Sequence, residues 1–176
     1  DGAVVPTPAS DAARRLRRVM TRVDPTGRRR ARESALQMLY QSEVGRMGPQ
    51  EAIGAFWRLD RSGEDADAKD AGETDEPIDD VLREFANDLV RETLARVAAI
   101  DQLIVTHAHN WRLERMAVID RLVLRLAVGE MLTHPETPPK VVINEALELA
   151  RTFSGDESVA FVNGVLDAVR KALSPT

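Results

Sequence analysis

The sequence predicts an all-α protein built as two packed helical bundles, with about six or seven helices. Three observations carry this. Aromatic residues make up only 4 % of the chain, while Ala, Leu, Val, Arg and Glu dominate, a balance that favours helix over sheet. Apolar residues recur at helical spacing through most of the chain after residue 28. One stretch, Ile119–Met131, is apolar nearly all the way round: Ile119, Leu122, Val123 and Leu126 form one face, and Leu124, Val128 and Leu132 a second. A helix apolar on more than one face must be buried on more than one side, so this one belongs at the centre, from about 114 to 132.

The chain in order begins with residues 1–27, which hold Pro6, Pro8, Pro25 and Gly27 without a sustained apolar period and read as a disordered basic tail. A first helix follows from Arg28, with Ala31, Ala35, Met38 and Leu39 as its apolar stripe, ending near Gly45 or Gly48. Pro49–Leu59 reads as a second helix with Ala52, Phe56 and Leu59 inward. The stretch 61–76 is an acidic loop. Pro77 suits a helix start, and Ile78 to Ile104 keep helical spacing, with a break near Ile100. This gives an N-terminal bundle of about 28–107 and a C-terminal one of about 111–173 within a domain of 28–176. After the central helix, Thr137 is the expected N-cap, with prolines at the helix start. Val142, Ala146, Leu149, Ala150 and Phe153 share one face of that helix. Ser154 and Glu157 have capping-box spacing at the start of the last helix, which carries Phe161, Val162, Val165, Leu166 and Val169. Gly164 inside it costs about 1 kcal/mol against Ala, which suggests close backbone approach.

Composition narrows the function. The chain has no Cys, so it has no disulfide, thiolate metal site or Cys nucleophile, which fits a reducing, cytoplasmic setting. No run approaches the length of a membrane span, and residues 1–27 lack the apolar core of a secretion signal. His107 and His109 are two apart and point away from each other on a helix, a weak metal signal; no metal and no cofactor is expected. There is no Gly-rich phosphate loop, nucleophile elbow or helical HExxH pair, so catalysis is not expected.

Charge is distributed unevenly around a net −5. Nine Arg and one acid lie between Arg14 and Arg32, whereas nine acids and two bases lie between Arg61 and Asp80, so the protein is acidic with a basic arm. Arg28, Arg29, Arg30 and Arg32 sit at a helix start, where the dipole disfavours cations, so an anion is expected there unless the arm is merely solvated. Tyr40 falls on the Arg29 side of that helix and suits stacking on a base, or a half-buried core position. Arg121 and Arg125 are four apart, and such like charges repel unless an anion lies between them. That anion is either a carboxylate such as Glu145 or Glu148, or a phosphate. Phe161 and Asn163 lie in the first turns of the last helix, Phe161 as core and Asn163 bonded to backbone in the plainer reading.

Four blocks, Arg28–Tyr40, Ile119–Met131, Val141–Ala150 and Phe161–Asp167 (FVNGVLD), resemble the NusB family of transcription antitermination factors, in that family's order. The resemblance implies a fold of two helical bundles. It implies binding of boxA RNA of ribosomal RNA transcripts together with NusE, a small-subunit ribosomal protein, in support of the RNA polymerase antitermination complex. It assigns RNA contact to Arg28, Arg29, Arg30, Arg32, Tyr40, Arg121, Phe161 and Asn163, and places Asp120 on the side that meets NusE. Glu157 matches an acid next to the RNA site. Ala160 departs from the Lys or Arg that often precedes FVNG, which removes one phosphate contact. A homodimer is left open. Two other readings stand beside this one: a NusB-like domain of a ribosomal RNA methyltransferase, which needs a longer chain, and a protein-interaction module acting as a homodimer.

Overall fold

The computed structural model describes residues 25–63 and 78–174. Among them are seven α-helices and one 3-10 turn, and no strand: α1 Pro25–Gly45, α2 Pro49–Gly63, α3 Asp80–Ala95, α4 Val97–His107, the turn Leu113–Arg115, α5 Val118–Thr133, α6 Pro139–Phe153 and α7 Asp156–Leu173. Residues 1–24, most of the acidic loop and Pro77 lie outside the described residues. The tail gives up its last three residues to α1, because Pro25 has the fixed φ that suits a first helical position. At its other end, the helix before the acidic loop runs on to Gly63.

α5 is the centre. Nine of its sixteen residues are buried, the largest share of any helix, and Val123, Leu124 and Val128 are completely enclosed. It touches α1, α3, α4, α6 and α7. The helix starts at Val118 rather than near Glu114, because Met116 and Ala117 are extended after the 3-10 turn. Leu132, expected on the second apolar face, is 37 % exposed and lines an open cleft with Asp88, Glu92 and Arg96.

The predicted break in the long helix falls at Arg96 rather than Ile100. Ile100 keeps its place on the apolar face and is fully buried. The break turns α4 onto α5 and α7, so α4 joins the C-terminal group and the N-terminal group is α1, α2 and α3. Just before it, Thr93 packs on Gly129 of α5 so closely that a Cβ there would lie 2.6 Å from Thr93 Oγ1.

Caps and edges differ in detail. Asp79 caps α3, accepting the Leu82 N–H at 2.8 Å. Pro138, not Thr137, is the N-cap of α6, because the residue before a proline is pushed out of the helical region and Pro139 follows. Gly155, at φ 125°, takes the cap of α7, so the capping box of Ser154 and Glu157 does not form. In α2, Ala52, Ile53 and Trp57 are buried, whereas Leu59 is 64 % exposed: two residues beyond Trp57 the helix has turned about 200°. Phe153 is 38 % exposed at the end of α6.

Candidate nucleic-acid interface

The basic start of α1 needs counter-charge, because the helix dipole opposes its arginines. The chain itself supplies it. Arg32 donates from Nε and Nη2 to Glu130 of α5 at 2.8 and 2.6 Å, and the two residues are 3 % and 1 % exposed. Arg29 makes the same forked pair with Glu145 of α6 at 3.0 and 2.9 Å, at a more exposed position. The Glu145 hydrogen bond is the main reason the Arg29 guanidinium is held above its ordinary range. Arg28 lies over the Phe85 ring, 5.1 Å from its centroid; burial first, and the Arg32 charge second, lower its pKa. Arg30 is partly buried. Of the four arginines expected at an RNA surface, Arg32 therefore points inward, and Arg29 is occupied by a carboxylate.

Arg121 and Arg125 are also neutralised from within. Glu43 of α1 accepts from Arg121 Nη2 at 2.8 Å and from Arg125 Nη1 at 3.4 Å. Arg121 Nη1 donates to the Leu113 carbonyl at 3.1 Å, while its Nε is buried without a partner among the described residues. Asp101 of α4 grips Arg125 at 2.7 and 2.8 Å. Burial is the largest single influence and works against the Arg125 charge, but the bonds and charges of Asp101 and Glu43 together outweigh it and raise the pKa. The anion is thus a carboxylate, supplied by Glu43 and Asp101 rather than by Glu145 or Glu148. The reason is azimuth: this stripe of α5 faces α1 and α4, whereas Glu145 meets Arg29 and Glu148 pairs with Arg151. Tyr40, one turn before Glu43, is 43 % exposed.

Asp120 is 8 % exposed, although it was expected to face a partner. Its two oxygens accept from Ser154 Oγ at 2.6 Å and Ser158 Oγ at 2.9 Å, tying the α6–α7 corner to α5. Beyond that corner, Phe161 is half-buried and packs on Trp111, ring centroids 5.0 Å apart and tilted by 48°. Ala160, Asn163 and Gly164 are exposed on the same helix, as is Glu157 in its first turn. Among the described residues nothing lies within 4 Å of where a Gly164 Cβ would be, and the close approach expected there is found at Gly129 instead.

These residues do not form one cluster. Arg32 meets α5 at Glu130 and Arg121 sits nine residues earlier, about 13 Å along the axis. The structure does unite Phe161 with Trp111, a residue to which the sequence alone assigns no role. A large aromatic outside any periodic face was the signal available for it.

The model of the NusB family matches residues 29–171. Transcription antitermination protein NusB of Koribacter versatilis is 44 % identical over 83 % of this chain and 90 % of its own length. The protein of the same name from Myxococcus xanthus is 44 % identical over 84 % of this chain and 96 % of its own. Among solved structures, T. maritima NusB superposes with a TM-score of 0.68 at 32 % identity, covering 84 % of this chain and 93 % of that one. A crystal structure of antitermination factors NusB and NusE in complex with double-stranded RNA matches with a TM-score of 0.66 at 25 % identity, over 85 % and 99 % of the two chains.

Proposed function

The chain belongs to the NusB family, and from that premise we propose that it is a transcription antitermination factor that binds boxA RNA of ribosomal RNA transcripts together with NusE, within the RNA polymerase antitermination complex. The observation that carries this reading is the open face of α7. Gly164 in mid-helix costs about 1 kcal/mol against Ala, yet among the described residues nothing lies within 4 Å of where its Cβ would be, and Asn163 beside it is exposed. A cost with no packing return inside the molecule fits a surface that something outside approaches. The relatives named antitermination proteins match over 90 % and 96 % of their own lengths, which favours this reading over a methyltransferase domain.

In this reading Phe161 and Asn163 touch RNA directly, and Arg28, Arg30 and Tyr40 border it. Arg29 borders it too, its guanidinium kept from the phosphates by Glu145. Arg32 and Arg121 act through Glu130 and Glu43, holding α1 on α5. Asp120 serves the NusE side by fixing Ser154 and Ser158 at the corner that NusE meets. Titration of a boxA RNA with the chain alone, with NusE alone and with both tests this. Binding is expected to be tightest with both, and to weaken in Phe161→Ala and Asn163→Ala. Equal RNA affinity of NusE with and without the chain would overturn the reading.

A further inference from the structure

The two tryptophans sit in opposite settings. Trp57 is 6 % exposed, donates from Nε1 to Asn87 Oδ1 at 2.8 Å and has Arg83 over its ring at 4.4 Å. Trp111 is 51 % exposed, and its indole N–H has no partner among the described residues. Yet its backbone is held. The Trp111 N–H donates to the Ala108 carbonyl at 3.0 Å, Arg121 binds the Leu113 carbonyl at 3.1 Å, and Met116 is buried at 5 %. The indole lies against the Phe161 ring, 5.0 Å between centroids and tilted by 48°. The ring is therefore presented on a fixed frame rather than a loose loop.

The charges beside it are unlike those of α1. Arg112 and Arg115 are exposed, and their side chains make no ion pair or hydrogen bond among the described residues. Glu114 between them is exposed as well, which leaves two cations to one acid in the turn. Aromatic faces accept any base by stacking, and adjacent cations follow the phosphate backbone; this pairing marks single-stranded nucleic-acid sites. An apolar protein surface would suit the rings but not the free arginines.

We propose that Trp111 and Phe161 form a stacking platform for an unpaired base of single-stranded RNA, with Arg112 and Arg115 taking the flanking phosphates. The inference rests on the RNA-binding reading above and assigns Trp111, Arg112 and Arg115 to it.

The test uses the full chain with NusE and a single-stranded boxA RNA, read by tryptophan emission and by affinity at several salt concentrations. RNA is expected to quench the wild-type emission and to leave Trp111→Phe, which keeps only buried Trp57, unquenched. Trp111→Ala should weaken binding about thirtyfold, the middle of the range for one stacked base, and Trp111→Phe by less. Replacing Arg112 and Arg115 together by Ala should flatten the slope of log affinity against log salt by about 1.4, at about 0.7 per contact. Wild-type RNA affinity in Trp111→Ala, with an unaltered slope in the double arginine variant, overturns the proposal and leaves the functional reading standing. Lost NusE capture with RNA affinity of the chain alone unchanged also overturns it, and assigns the corner to a protein. A wild-type complex that does not bind RNA overturns the functional reading itself, and this proposal with it.

Discussion

At the start of α1, Arg32 and Arg29 each commit both prongs of the guanidinium to a carboxylate, Glu130 and Glu145. In the turn before α5, Arg112 and Arg115 are exposed and have no such partner among the described residues. Both regions are rich in arginine, but they do different work. A buried forked pair is held by geometry and is damaging to break, because the surviving charge has lost both water and partner. An exposed arginine contributes little to stability and is available to an incoming anion. Density of positive charge along a sequence therefore does not locate the surface that offers it.

The largest expected effect tests the buried side of that contrast. Glu130→Ala should destabilise the fold by about 3–5 kcal/mol, by stranding Arg32, whereas Arg112→Ala should stay within about 0.5 kcal/mol of wild type. Urea unfolding of the two variants side by side measures this, and equal midpoints would erase the distinction.

Two glycines sharpen it next. Gly129→Ala places a methyl against Thr93 and should cost about 1–3 kcal/mol by overpacking. Gly164→Ala should instead stabilise α7 by about 1 kcal/mol while weakening RNA binding. Thermal melts and RNA titration of the same two proteins give the answer; a Gly164→Ala variant that binds RNA as well as wild type would remove the open face of α7 from the site.

A smaller change concerns Arg29. Glu145→Gln releases that arginine, so the salt dependence of RNA binding should steepen by about 0.7 if Arg29 then takes one phosphate. An unaltered slope would place the start of α1 away from the RNA path.

The smallest effect is in pH dependence. The Asp88 carboxyl is raised, by burial first and by Glu84 second, against the lowering pull of Arg91. A folded pKa above the unfolded value of 3.8 means that the charged form costs stability at neutral pH, and that this cost fades as pH falls through the folded pKa. Asp88→Asn should therefore raise the melting temperature slightly at pH 7 and not at pH values below 3.8. Parallel melts across that range check the sign.

The helices were legible because burial repeats with the helical period, and α5 stood out because its period runs on two faces. The end of α2 at Leu59 and the caps at Pro138 and Gly155 were not, since a single residue's azimuth or φ decides them and composition does not. For the proposed site, the resemblance of one block points to Phe161 and Asn163, and their exposure could not be read from it. Arg32 looks like its neighbours in sequence; only the position of Glu130, far along the chain, shows that it turns inward. Trp111 was the reverse case, a residue with no periodic context whose neighbour Phe161 is brought to it by the packing of α4 against α7.

The Arg32–Glu130 pair joins residues 98 positions apart, which has a meaning for synthesis of the chain. At about 5–20 residues per second, the arginine is made about 5–20 s before its carboxylate. During that interval α1, α2 and α3 can be complete while the position that Arg32 occupies lacks its counter-charge. Burying a lone guanidinium is unfavourable, so the nascent half should stay ajar, and should close when α5 leaves the ribosome and delivers Glu130.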